Sequence, residues 1–242
     1  MTRLWRENGV GRTRMFRFVG GRLNPVVGCL YMCVYCWARR LARRFKRLCE
    51  KCYEFTPHTH MERLYTPKRG VFRRTPPDSV VFVCDLADLF GSWVSPSVIM
   101  RVLDFIRFNP QTVFFLETKN PSGMRCFMDE IPENTIVSVT IETNRYPEDG
   151  VSKAPPPEDR FREFQRIDHP RKHVSIEPII DFDMEVLVGW MRDIQPEMVS
   201  IGYDNYGILR RCGIPEPSRE KYFRLKAELS KFTKVEDKTF GG

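Results

Sequence analysis

Short apolar, β-branched runs alternate with helical segments along most of this 242-residue chain. The runs are Leu23–Val27, Val80–Cys84, Thr112–Leu116, Thr135–Ile141, His173–Ile176 and Met198–Ile201. Amphipathic segments fall near Pro96–Phe108, Ser122–Glu130, Glu158–Ile167, Glu185–Asp193 and Ser218–Phe232, with a further helix directly after residue 36. Runs that are apolar throughout are buried on both faces, which is how parallel strands read. Parallel neighbours need a crossover connection, usually a helix. The alternation therefore predicts an α/β fold of six β–α units, in one domain over residues 22–242 behind a basic arm over residues 1–21. No apolar run approaches transmembrane length, and the Arg-rich start lacks the apolar core of a signal peptide, so a cytoplasmic chain is expected.

Eight cysteines in such a chain argue for metal ligation before disulfides. Cys29, Cys33 and Cys36 stand at C-x3-C-x2-C spacing. Three thiolates on one short loop can hold three irons of a 4Fe–4S cube and leave the fourth iron open to a substrate or cofactor. The plainer alternative is zinc ligation or apolar packing. Zinc knuckles, however, favour paired C-x2-C arms, and this loop has one such arm with an extra cysteine upstream. A second set follows, Cys49-x2-Cys52-x5-His58-x-His60, whose two thiols and two imidazoles suit tetrahedral zinc. Its alternative is a cysteine on a helix stripe followed by a polar loop.

Net charge is +8, unevenly spread: residues 1–74 carry 18 Lys+Arg against 4 Asp+Glu, a net of +14, and the remainder carries −6. That asymmetry predicts a polyanionic partner, tRNA or single-stranded nucleic acid, at the N-terminal side. Trp37, Leu41, Phe45, Leu48 and Cys52 recur at helical spacing, with Arg39, Arg40, Arg43, Arg44, Lys46, Arg47 and Lys51 on the other side. Trp5, Phe16 and Phe18 lie among the N-terminal arginines as candidate stacking platforms for bases.

The carboxyl ends of the strands, where parallel α/β sheets collect ligands, are polar: Cys84-Asp85, Glu117-Thr118-Lys119-Asn120, Thr140-Ile141-Glu142, Ser175-Ile176-Glu177 and Gly202-Tyr203-Asp204. Residues 144–160 form a long loop after the fourth strand, placed to act as a lid. Cys84 reads either as a hydrogen-atom donor at the site or as a small buried residue.

The string Gly28-Cys29-Leu30-Tyr31-Met32-Cys33-Val34-Tyr35-Cys36-Trp37 resembles the cluster loop of the radical S-adenosylmethionine (SAM) superfamily. With Asp85–Phe90, Glu117–Asn120 and Val174–Pro178, it is similar to the three-Cys-motif phage-protein family, over roughly residues 24–206. More distantly, Cys33-Val34-Tyr35-Cys36 resembles the spore photoproduct lyase family. The resemblance implies a partial parallel (β/α)6 barrel and a 4Fe–4S cluster on Cys29, Cys33 and Cys36. It implies SAM on the open iron and a reducing electron donor. It places the backbone of Tyr35 against the SAM adenine, Asp85 where most members carry Gly-Gly-Glu, and Thr140, Glu142, Ser175 and Glu177 toward the SAM ribose and carboxylate. Gly202 permits close backbone approach. The expected activity is reductive cleavage of SAM and hydrogen abstraction from a substrate, nucleic acid on the charge argument. Two other readings fit the same residues: a non-catalytic basic protein holding zinc or a redox cluster, and a radical enzyme acting on a small molecule or peptide.

Overall fold

The computed structural model describes residues 16–65, 80–145 and 150–240, so most of the expected N-terminal arm, Trp5 included, lies outside the described residues. The chain divides into two compact units. The first comprises Met1–Leu30, Trp37–Thr118 and Phe127–Ile136; the second comprises Tyr31–Cys36, Lys119–Cys126 and Val137–Gly242.

In the first unit the strands are β1 (Val19–Leu23), β2 (Val26–Val27), β3 (His58–Thr59), β4 (Val80–Val83) and β5 (Val113–Thr118). Parallel pairing joins β1 to β4 and β4 to β5, with Leu23 opposite Val83 and Val83 opposite Leu116. The single run expected over Leu23–Val27 is split. Pro25 has no N–H to give a ladder, so β1 stops at Leu23, and β2 turns away to pair antiparallel with β3. Asn24 anchors the break: its amide donates to the Asp85 carboxylate, and its Oδ1 accepts the Leu86 N–H at 3.1 Å.

The helix expected after residue 36 is also divided, into α1 (Trp37–Ala42), a 3-10 turn at Arg43–Phe45 and α2 (Glu50–Glu54). Cys49 is extended (φ −162°) and caps α2, so the helical stripe cannot run through it, and Leu48 is 79% exposed rather than docked. Six residues of the expected basic side, Arg40, Arg43, Arg44, Lys46, Arg47 and Lys51, are exposed, whereas Arg39 is half-buried against Phe55. By contrast, Phe16 and Phe18 are buried and unavailable as stacking platforms. Their rings stack at 5.3 Å, and both meet the edge of Phe115, at 5.1 and 5.4 Å. Burying two phenylalanines in such edge contacts gains more than leaving them to water. Helix α3 (Pro96–Arg107) completes this unit, burying Ile99, Val102, Leu103 and Ile106 on one stripe.

The second unit contains α4 (Pro121–Arg125), β6 (Thr135–Thr140) from Val137 onward, α5 (Pro157–Gln165), β7 (Lys172–Ile176), α6 (Met184–Ile194), β8 (Met198–Ile201), α7 (Ile208–Arg211), α8 (Arg219–Leu229) and β9 (Lys234–Asp237). Here β6, β7, β8 and β9 pair parallel in chain order. Strand β9 adds a seventh parallel strand to the six expected. Three of the four residues of its Lys-Val-Glu-Asp sequence are charged, and it carries no strand signal. Its partners supply the reason it forms: Asp237 is buried and accepts from the Tyr222 hydroxyl and the Lys226 ammonium, both at 2.8 Å.

A buried polar file crosses these strands. The Ser200 hydroxyl donates to Glu236 at 2.5 Å. Its oxygen therefore accepts from Nε2–H of His173 at 2.9 Å, which leaves Nδ1 to accept from Ser138 at 2.8 Å. Burial, reinforced by Lys238, holds the His173 imidazole down at about 3. An unfolded histidine titrates near 6.5. Between those values the unfolded chain binds the extra proton, so stability is lost as pH falls from about 6.5 toward 3. Urea melts across this range should show that loss, a few kcal/mol in all, and His173→Gln should flatten it. Equal slopes for the two proteins would remove His173 from the account.

Candidate functional site

The C-x3-C-x2-C segment joins β2 to α1. In the first unit, Gly28 sits at φ +94°, and its N–H donates to the Leu86 carbonyl at 2.9 Å. A Cβ at Gly28 would stand 2.4 Å from the Thr56 carbonyl group, so only glycine fits. The half-buried Cys29 follows, its carbonyl accepting from Arg39 at 3.3 Å. Arg39 lies over the Phe55 ring at 5.5 Å.

In the second unit, Cys33 is buried and Cys36 half-buried, and a tight turn joins them, Cys36 N–H to Cys33 carbonyl at 3.1 Å. Part of the expected lid is latched onto this segment. Val34 N–H donates to the Val151 carbonyl at 3.0 Å, Lys153 N–H donates to the Tyr31 carbonyl at 2.6 Å, and Ser152 Oγ lies 3.1 Å from Cys33 Sγ. Residues 146–149 of that loop lie outside the described residues. None of the eight cysteines is in a disulfide.

Glu142, one of the expected SAM-side residues, is the hub of the second unit. Its side chain is 2% exposed. Oε1 accepts from the Tyr35 hydroxyl at 2.5 Å and from the Lys119 ammonium; Oε2 accepts from Arg160 at 2.7 Å. Arg160, 3% exposed, also donates to the Thr140 carbonyl at 2.5 Å. Burial alone would raise the Glu142 carboxyl, but Arg160 and Lys119 outweigh it and hold it well below the usual carboxylate range. Burial, then the Glu142 charge, pushes the Tyr35 phenol well up, so it stays protonated and donates. Two cations, Arg160 and Lys119, thus pair with this one carboxylate. The Nε of Arg160 is buried with no hydrogen-bond partner among the described residues.

The sequence does not mark Arg160 as a site residue, although one signal was available. Pro157, Phe161 and Phe164 are the buried face of α5, and Arg160 stands on that same face. An arginine in an apolar stripe needs a buried anion. Ser152 gives no such signal.

The remaining candidates are placed as follows. Thr140 and Ser175 are buried and paired in register on β6 and β7. Glu177 accepts from Lys238 and from Asn205 Nδ2 at 3.3 Å. A Cβ at Gly202 would stand 3.2 Å from Lys238 Cβ and 3.5 Å from Glu177 Cδ, so the backbone does approach closely there. In the first unit, Asp85 is buried, and desolvation raises its carboxyl despite Asn24 and Arg22. Cys84 is buried at φ +61°, and burial pushes its thiol up to about 12, so it keeps its S–H at neutral pH.

Among the described residues, one Cys/His group converges on a point: Cys49, Cys52, His58 and His60, whose ligand atoms all lie within 4.8 Å of one another. His58 Nε2 is 3.5 Å from Cys49 Sγ, 3.3 Å from Cys52 Sγ and 2.9 Å from His60 Nε2, and His60 Nε2 is 3.2 Å from Cys52 Sγ.

The chain matches solved structures of spore photoproduct lyase. A mutant of that enzyme with bound AdoMet and dinucleoside spore photoproduct superposes with a TM-score of 0.63 at 11% identity, covering 90% of this chain and 76% of that one. A cysteine-to-alanine mutant gives 0.60 at 12% identity, covering 94% and 85%. At such identity the likeness establishes the fold, the parallel α/β half-barrel of radical SAM enzymes. Residues 15–191 match the family described as protein of unknown function (DUF5131), and the chain belongs to that family. No curated protein matches the sequence. Among the described residues no helix is long and apolar enough to cross a membrane.

Proposed function

We propose that this chain is a radical SAM enzyme acting on nucleic acid. One observation carries the reading: the C-x3-C-x2-C loop occurs within a fold that superposes on a radical SAM enzyme over nine-tenths of the chain. The donor set suits the cofactor, since three thiols outside any disulfide match a 4Fe–4S site with one open iron. Cys29, Cys33 and Cys36 would hold the cluster. With SAM bound, it would supply a carbon-centred radical able to take hydrogen from an unactivated position.

The chain's own residues then bind, orient and exclude water. Arg160 and Lys119 pair with the buried Glu142, and a guanidinium and an ammonium held there suit the SAM carboxylate. Tyr35 ties that ion cluster to the loop carrying Cys33 and Cys36. Thr140, Ser175, Glu177 and Asp85 are the remaining candidate SAM contacts, and Gly202 leaves backbone room beside Glu177. Cys84, still protonated, is the candidate hydrogen-atom donor. Loading the anaerobic protein with iron and sulfide should give about four irons per chain at this loop. A folded protein that takes up no iron would favour the non-catalytic reading.

Nucleic acid as substrate rests on charge and on the dinucleoside ligand of the matched enzyme. The exposed Arg40, Arg43, Arg44, Lys46, Arg47 and Lys51 follow the cluster loop directly. Phosphate contacts release counterions. Binding to tRNA or single-stranded DNA should therefore fall at least about tenfold between low and physiological salt. Arg40→Glu with Arg43→Glu and Arg47→Glu should abolish it, since all three side chains face solvent. Salt-insensitive binding, or none to either polymer, would turn the substrate assignment toward a small molecule or peptide.

A further inference from the structure

We propose that Cys49, Cys52, His58 and His60 hold one structural zinc ion, which fastens the root of the Cys29 loop. The site is built by two local devices. Cys49 caps α2 and Cys52 lies in its first turn, so both thiols face the same side, and the Cys52 N–H donates to Cys49 Sγ at 3.5 Å. The two histidines are a single residue apart, which is tight for a zinc-finger helix. His58 opens β3 (His58–Thr59), however, and His60 follows that strand directly as the residue before the 3-10 turn at Met61–Leu64, which brings the two Nε2 atoms to 2.9 Å. Their rings meet edge-on at 4.7 Å.

Each histidine offers Nε2 inward because its Nδ1 is engaged: His58 Nδ1 with the Thr56 carbonyl at 2.7 Å, His60 Nδ1 with Glu62 Oε1 at 3.0 Å. Such outer partners fix the tautomer and ring orientation of a metal-bound histidine. A tetrahedral zinc with bonds of about 2.0–2.3 Å requires ligand atoms about 3.3–3.8 Å apart. Four of the six separations, 2.9–3.5 Å, reach that with shifts of a few tenths of an ångström, and the other two lie within 4.8 Å, so the ligands close by up to about 1 Å around the ion. Two thiolates and two imidazoles select zinc over magnesium or calcium. Four protein ligands leave no position for substrate, which makes the ion structural.

The consequence for the loop runs through backbone contacts within the first unit. Thr56 and Pro57 lie between ligands Cys52 and His58, and they press on Gly28 so closely that no side chain fits. His58 pairs with Val27, and the His60 N–H donates to the Pro25 carbonyl at 2.7 Å. Metal at this site therefore clamps Pro25–Gly28, the stretch that leads into Cys29. This last claim gains its purpose from the proposed cluster; the zinc site does not depend on it.

The test uses the full chain as purified, before any iron loading. Metal analysis should find about one zinc per chain. Cobalt(II) in its place should give the intense visible bands of a tetrahedral thiolate site. Cys49→Ser with His58→Ala should lose both signals, and Cys126→Ser should keep them. A folded wild type that holds no zinc after dialysis against zinc(II), or a double variant that retains it, overturns the site. Should the double variant not fold, the wild-type zinc content and cobalt spectrum still decide. Chelating the zinc should speed exchange of the Gly28 amide at least about tenfold, with β7 unchanged. Zinc loss without that change overturns the clamp alone, and SAM cleavage is not needed for either readout.

Discussion

Replacing Glu142 by alanine should destabilise the protein by about 3–5 kcal/mol, read from urea melts at neutral pH. The carboxylate is buried and shared by Tyr35, Lys119 and Arg160. Removing it strands the Arg160 guanidinium, 3% exposed, in a low dielectric without its counter-ion. Lys119 is 16% exposed and can turn toward water, so most of the cost falls on Arg160. The pairing of Glu142→Leu with Arg160→Met should recover much of the loss, because no charge is then left unpaired. The pH sign is fixed by the depressed Glu142 carboxyl. Its contribution is fully present above the unfolded value near 4.3 and is lost as pH falls below that. A cost below about 1 kcal/mol for Glu142→Ala would show that the buried ion cluster is open to water in solution.

Cys33→Ala should abolish iron retention at the cluster loop and with it all SAM cleavage. Two thiolates cannot hold the three irons that a site-differentiated cube presents. The substitution removes a buried thiol that lies beside Ser152, so some stability is lost as well, and the folded fraction must be matched between variant and wild type. Cys126→Ser is the control. That thiol is exposed, and its loss should change stability by less than about 0.5 kcal/mol and cleavage not at all.

Much of this fold is legible in the chain because its signals are local. Met198–Ile201 is a strand as read, and Val80–Val83 and Thr135–Thr140 each end one residue short of the reading. The misreadings come from interactions that local pattern does not contain. The helix after Cys36 has the apolar period to continue, but Cys49 leaves the helical conformation and Leu48 stays in water. Phe16 and Phe18 look like an aromatic-basic arm because their partner Phe115 is about a hundred residues away. Strand β9 is charged at three of its four residues and forms because Tyr222 and Lys226 receive Asp237.

The same holds at the site. The cysteine spacings and the C-x2-C…H-x-H set can be read directly, since each lies within one short segment. The ion cluster cannot, because Tyr35, Lys119, Glu142 and Arg160 come from four separate parts of the sequence. The one advance sign was an arginine on the buried face of α5.

The central claim is tested most directly by SAM turnover. The full chain, loaded anaerobically with iron and sulfide and reduced with dithionite, is incubated with SAM, and 5′-deoxyadenosine is measured. Release by the wild type, and none by a variant with Cys29, Cys33 and Cys36 all changed to alanine, is the expected result. Equal release by the triple variant, or none by a wild type carrying about four irons per chain, would contradict the account.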